Sequence, residues 1–304
     1  MPQSGALVRR RGGCTVTRRA TCTGDRRITH HVTIPATFAR QPRARGRIAV
    51  SAKLARGRSV LADLHQAGSS KCLFPRYDST ALDAVILNTA GGITGGDHYA
   101  VAAEAQPGTT LCLTTQACER AYRAQTGEVG QVRNTLTVGA GARIDWLPQE
   151  TILYDGAALD RRLQIDLATD ARLLMVEPLV FGRAAMGERL NAVAFRDRIM
   201  IDRAGVPLYR DALMLNGEVS AHLAKPFVAN GAGAMAAMIY IAPDAAGQLD
   251  AVRAMLPDTA AASLIGDEML VARFLAPDSF ELRRSLLPVL AHLRGGPLPR
   301  TWMI

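Results

Sequence analysis

The chain has 304 residues, enough for one or two domains with a sizeable core, and nearly half are hydrophobic, which excludes a disordered polymer. Its net charge of +9 sits at one end: residues 1–60 hold thirteen Arg and Lys53 against Asp25 alone, leaving about −4 for the rest. The cysteines, Cys14, Cys22, Cys72, Cys112 and Cys118, are odd in number and form no Cys-x-x-Cys pair, so they point to neither a disulfide framework nor a zinc site.

Residues 1–45 are rich in Arg, Gly and Thr, with Pro35 and Pro42, and show no sustained period. They read as a basic, poorly ordered tail preceding a single β-rich domain over residues 46–304. The start lacks the apolar core of a secretory signal, which makes the cytoplasm the expected compartment. A basic arm also suits nucleic acid or an acidic partner, although no aromatic residue precedes Phe38 to stack on a base.

Regular patterning opens with Arg47–Leu54 and Ser59–His65, followed by a tight segment over 68–76. Next comes Asn88-Thr-Ala-Gly-Gly-Ile-Thr-Gly-Gly-Asp97, entered from the apolar run Ala84–Leu87. Two Gly-Gly pairs imply a backbone that turns sharply or is approached closely, twice. A phosphate cradle needs Gly-Lys-Ser/Thr, and here the second pair is followed by an acid, so nucleotide binding is not expected.

Alternating strands then recur with small-residue turns between them. Val101–Glu104 turns at Pro107-Gly108 into Thr110–Thr114, and Thr135–Val138 turns at Gly139–Gly141 into Arg143–Leu147. Leu163–Leu167 turns at Thr169-Asp170 into Arg172–Val176, and Arg198–Ile201 turns at Ala204-Gly205 into Pro207–Tyr209. The spacing of roughly 30 residues predicts a mainly β fold: stacked β-coils with a β-helix-like core, or antiparallel sheets of long hairpins. Gly231–Pro243 is apolar but about half the roughly 20 residues a membrane helix needs. Two helices are expected in the C-terminal third, Ala245–Leu256 and one from Asp278 or Ser279 to Arg294 stopped by Gly295-Gly296, with a strand Met269–Leu275 between them.

No Gly-x-Ser-x-Gly elbow occurs, and outside the tail pair His30-His31 no two histidines sit at metal-ligand spacing. The chemistry-bearing candidates are five acids beside turns: Asp97, Glu150, Asp155, Glu177 and Glu188. Glu177 ends the apolar run Leu173–Val176, where a buried carboxylate needs a partner, and Arg183, six residues on, is the candidate for it. Oxygen ligands spread through a β body pass a divalent cation without holding it, although solvation at the surface is the commoner explanation for any one of them.

Taken together, these blocks resemble one family. The stretch Leu87–Asp97 resembles the Gly-Gly…Gly-Gly-Asp loop of the urease accessory proteins called UreD, or UreH in some organisms. Thr114-Thr-Gln-Ala…Tyr-Arg123, Leu147-Pro-Gln-Glu…Tyr-Asp-Gly156, Phe181-Gly-Arg…Gly-Glu188 and Leu298-Pro-Arg-Thr-Trp302 are similar to further blocks of that family, in the same order. The resemblance implies a non-enzymatic chaperone that acts with UreF and the GTPase UreG on the urease apoprotein. It also implies that Ni²⁺ is in transit rather than tightly bound, that the five acids are candidates for its path, and that neither membrane nor nucleic acid is a partner.

Overall fold

The computed structural model describes residues 41–76 and 79–303. The tail expected over residues 1–45 falls mostly on residues 1–40, outside the described residues, as do the His30-His31 pair, Cys14 and Cys22. Regular structure begins with β1 (Arg45–Ala55), inside the last residue of that expected tail.

The strands form two facing sheets, and the chain shuttles between them. Sheet A opens with the antiparallel pair β1 and β2 (Arg58–Gly68), and sheet B with β3 (Ser70–Leu73) and β4 (Leu82–Asn88). The chain then returns to sheet A for β5 (His98–Ala105) and crosses to B for β6 (Thr110–Thr115) and the short β7 (Glu119–Ala121). Next come β8 (Gly130–Val138) in A, and β9 (Arg143–Leu147) and the short β10 (Thr151–Leu153) in B. They are followed by β11 (Ala158–Leu167) in A, β12 (Arg172–Phe181) in B and β13 (Val193–Arg203) in A.

Within each sheet the successive coil strands pair in parallel: β1, β5, β8, β11 and β13 in A, and β4, β6, β9 and β12 in B. The first three strand–turn–strand units are therefore coil corners crossing the sandwich, which decides between the two architectures expected above in favour of stacked coils. The corners stack like the strands: Gly108 N donates to Ala140 O, Gly139 N to Ala105 O, and Ala168 N to Val138 O. A Cβ on Gly139 would lie 2.9 Å from the Pro107 nitrogen, so the corner admits only glycine without a shift.

The fourth unit differs. β13 folds back on β14 (Val206–Gly217) as an antiparallel hairpin, with Ala204 and Gly205 both at positive φ (50° and 76°), the combination a two-residue hairpin turn requires. The hairpin ends the coil series. After it come the short helix α1 (Val219–Leu223), β15 (Ala234–Ile241), α2 (Ala245–Met255), β16 (Ala260–Ile265), β17 (Met269–Ala276) and α3 (Ser279–Arg294).

The two expected helices are α2 and α3. Asp278 caps α3 by accepting from Glu281 N at 2.9 Å, and Gly295 closes it in the left-handed region. The helix runs on through Pro288. One further turn of helix, α1, carried too few residues to show a period.

Sheet B is buried on both faces. Leu173 and Met175 of β12 face sheet A, whereas Leu174 and Val176 face Leu282, Leu286, Leu290 and Trp302 under α3. That is why β12 and β15 read as continuous apolar runs while the strands of sheet A alternate. Residues from Arg43 onward form one compact unit, and among the described residues no helix is long and apolar enough to cross a membrane.

Candidate functional site

The inter-sheet core changes character along its length. On β11, Leu163 and Ile165 face inward with Arg161 two residues earlier on the same side; on β13, Ile199 and Ile201 share that side with Asp197. On β12, Glu177 continues the inward row of Leu173 and Met175. Where the apolar rows end, three charged side chains therefore meet across the sandwich.

Arg161 Nη1 lies 2.6 Å from Glu177 Oε2, and Arg161 grips Asp197 with both Nε (3.0 Å) and Nη2 (2.6 Å). Trp146 Nε1 donates to Glu177 Oε1 at 2.7 Å, Arg161 Nη1 donates to Thr151 Oγ1, and the guanidinium stands over the Phe195 ring. Burial raises the Glu177 carboxyl above its ordinary value, opposed by Arg161 and the indole N–H. Burial disfavours the Arg161 charge, but Asp197 and Glu177 outweigh it and hold the guanidinium charged. The partner of Glu177 is thus Arg161 from the opposite sheet; Arg183, the partner expected from sequence, pairs with Glu188 instead.

A cavity of about 260 Å³ leads from the Gly-Gly loop to this cluster, lined among others by Asn88, Cys118, Glu119, Gln149, Trp146, Arg161 and Glu177. On the far side lies a small cavity of about 20 Å³ lined by Glu177, Asp197, Asp211 and Arg273, the last two paired with each other. Glu177 lines both.

The loop itself is held by its polar ends. Asp97 is buried and turned to the backbone: Oδ1 accepts from Ala44 N at 2.7 Å and Oδ2 from Thr94 N at 2.8 Å. It therefore ties the loop to the residue before β1 and does not line the large cavity. Asn88 supplies the other clasp, donating to Gly92 O and to both oxygens of Glu119 while accepting from the Tyr99 hydroxyl. A Cβ on Gly92 would come within 2.3 Å of the Tyr122 ring, and Gly91 sits at a φ of +78°, which together account for the first glycine pair.

The other three acids lie apart. Glu150 is buried between Arg283 Nη1 (3.2 Å) and the Cys118 thiol (3.3 Å), and Arg283 also donates to Gln149 Oε1 and the Trp302 carbonyl. Asp155 accepts from the backbone N–H of Asn191 and Ala192 and pairs with Arg123 at 2.6 Å; burial works against its charge, but these donors hold its pKa low. Glu188 is held low chiefly by Arg183, against some burial, and also accepts from Asp155 N. Of the five acids, the structure brings only Asp155 and Glu188 together, through the loops that join the coils. Among the described residues no three His, Cys, Asp or Glu side chains converge as a ligand set.

Residues 44–303 match the family model described as UreD urease accessory protein. The chain belongs to the UreD family. It is 60% identical over 246 residues to the urease accessory protein UreD of Ruegeria pomeroyi, covering 81% of this chain and 96% of that one. The UreD of Roseobacter denitrificans is 47% identical over 269 residues (88% and 98% covered), and that of a Methylobacterium species is 44% identical over 274 (88% and 97%).

Within this UreD fold, the residues that sequence reasoning passed over are Arg161, Asp197 and Glu119. The first two carried a readable signal: each is a charge on the inward parity of a strand otherwise alternating with Leu, Ile and Phe. Glu119 lies within the UreD-like block Thr114–Arg123, but nothing in its spacing marks it as half-buried. Burial raises its carboxyl, countered by Asn88. Cys118 beside it is pushed up to about 11, by burial first and then by Glu150, so its thiol is protonated near neutral pH.

Proposed function

We propose that this UreD family member is a non-enzymatic chaperone of urease activation, working in the cytoplasm with UreF, UreG and the urease apoprotein, and that Ni²⁺ crosses its β sandwich as cargo. One observation carries the reading: Glu177 lines both cavities, so the charged cluster is the partition between them.

The chemistry suits passage better than storage. Two carboxylates and one guanidinium leave the partition with a net negative charge, which attracts a dication. Arg161 is held bidentately by Asp197 and by a single nitrogen to Glu177, so yielding Glu177 to the cargo leaves the Arg161–Asp197 pair intact. Oxygen donors bind nickel more weakly than imidazole or thiolate, which favours release on the far side. Among the five acids of the sequence reading, Glu177 keeps its place on the path. Asp97, Asp155 and Glu188 act in this reading as loop fasteners, and Glu150 as the anchor of Arg283.

The test is urease activation in cells co-expressing urease, UreF, UreG and Glu177→Gln. Lowered nickel content in urease, with the accessory complex still assembling, supports the path. Full activation by Glu177→Gln and by Glu177→Ala removes it.

A further inference from the structure

The outward face of sheet A is asymmetric in charge. Parallel pairing places Arg47, Ala100, Arg133, Arg162 and Arg198 in one cross-strand row, and the adjacent row runs Arg45, His98, Gln131, Asp160 and Arg196. At the other end of the same strands a row runs Ser51, Glu104, Thr137, Asp166 and Asp202. Six arginines thus share one end of a flat face with a single acid, although the chain beyond residue 60 is net negative.

Such an arrangement is costly to the fold. Arg133, Arg162 and Arg198 stand directly opposite one another on neighbouring strands, where like charges destabilise a sheet. Asp160 relieves two of them, at 3.3 Å from Arg133 and 2.8 Å from Arg198. Arg198 Nε remains buried without a hydrogen-bond acceptor. Arg162 and Arg196 are exposed and make no ion pair among the described residues. The surplus lies at the end of the sheet where the Gly-Gly loop enters β5 and the large cavity begins.

We propose that this face docks an acidic protein surface. The row spacing argues the partner class: strands about 4.8 Å apart set the in-register arginines at intervals suited to carboxylates carried on another folded surface. Small Ala100 between Arg47 and Arg133 leaves the face flat enough for such a contact. Nucleic acid fits less well, because neither row carries a Phe, Tyr or Trp side chain and Asp160 stands in the middle of the patch. A second copy related by a two-fold axis through the patch would set arginine against arginine.

The experiment uses the full chain and its double variant Arg162→Glu/Arg196→Glu, with purified urease apoprotein, UreF and a 20-base-pair DNA duplex as probes; the two protein probes rest on the function proposed above. Binding to one protein probe that weakens about tenfold between roughly 0.05 M and 0.5 M salt is expected, with a loss of similar size in the double variant at low salt. Arg162→Lys/Arg196→Lys should keep it. Melting temperature should not fall in the charge-reversed chain, which separates lost docking from lost folding. Unchanged affinity for both proteins in the reversed chain overturns the proposal, as does tighter, variant-sensitive binding to the duplex. The cargo path is scored separately: loss of docking with normal behaviour of Glu177→Gln leaves this surface standing and removes only the path.

Discussion

Arg161 and Glu177 meet at 2.6 Å from opposite sheets, each less than a tenth exposed, and this contact joins the halves of the sandwich where apolar packing stops. A buried pair of this kind is poor evidence of net stabilisation, because desolvation offsets most of the attraction. Removing one partner is another matter. Arg161→Ala leaves Glu177 and Asp197 buried together without a cation and should cost about 3–5 kcal/mol in urea unfolding. Glu177→Gln keeps a carbonyl oxygen for Trp146 or Arg161 and should cost clearly less.

Asp97→Ala should act on the loop and not on a cation. It strips two backbone donors, Ala44 N and Thr94 N, of a charged acceptor, each such bond being worth about 1.5–3 kcal/mol. The measurement is the urea midpoint together with amide exchange at those two positions. Exchange that stays slow in Asp97→Ala would show that the loop does not depend on this carboxylate.

Glu119 gives a pH signature. Its folded pKa lies above the unfolded one because burial outweighs the Asn88 contacts, so the folded state loses relative stability as pH rises through the window between the two values. Glu119→Gln should therefore raise the melting temperature near neutral pH, with the gain vanishing below about pH 4, where the unfolded carboxyl is itself protonated. Asp155 and Glu188 run the other way. Their depressed values mean that their contribution is present above the unfolded pKa and is lost as pH falls through the folded one, so Asp155→Asn should flatten the acid limb of the stability curve.

Trp302→Ala should destabilise the chain by about 3–5 kcal/mol, the usual range for emptying a large aromatic site. The indole is 1% exposed, donates to Leu147 O at 2.9 Å and lies under the Arg283 guanidinium. The Trp302 carbonyl that Arg283 also contacts is main chain and survives the change, so the Arg283–Glu150 pair should persist and the loss should be read in thermal melts as lost packing.

The coil period, α2, α3 and the end of β17 were legible because each rests on local signals: turn glycines, an N-cap Asp278, a stop at Gly295. The number of residues per coil was legible too, but not whether each turn made a hairpin or a corner, since both leave the same alternation and only Ala204-Gly205 proved to be a hairpin. Glu177 was readable as a buried acid from its place at the end of an apolar run. Its partner was not, because Arg161 reaches it through space from the facing sheet, a contact that no spacing along the chain announces. Asp97 was singled out as a candidate for the cation path, and its two backbone donors were not legible: Thr94 N is local, but Ala44 N is brought to it only by the parallel pairing of β1 with β5.

The stacked coils also impose an order of assembly. The sheet A strands β8, β11 and β13 each pair with one roughly 30 residues earlier, so the sandwich can be laid down coil by coil as the chain leaves the ribosome. The cover of sheet B arrives last, because Leu282, Leu286, Leu290 and Trp302 lie in the final 23 residues. Until they emerge, Leu174, Val176 and Met238 form an open apolar wall on a nearly finished domain. Synthesis halted before Ser279 therefore yields a product whose strands are paired but whose back is greasy, the kind of nascent chain that trigger-type holding chaperones engage and that aggregates without them.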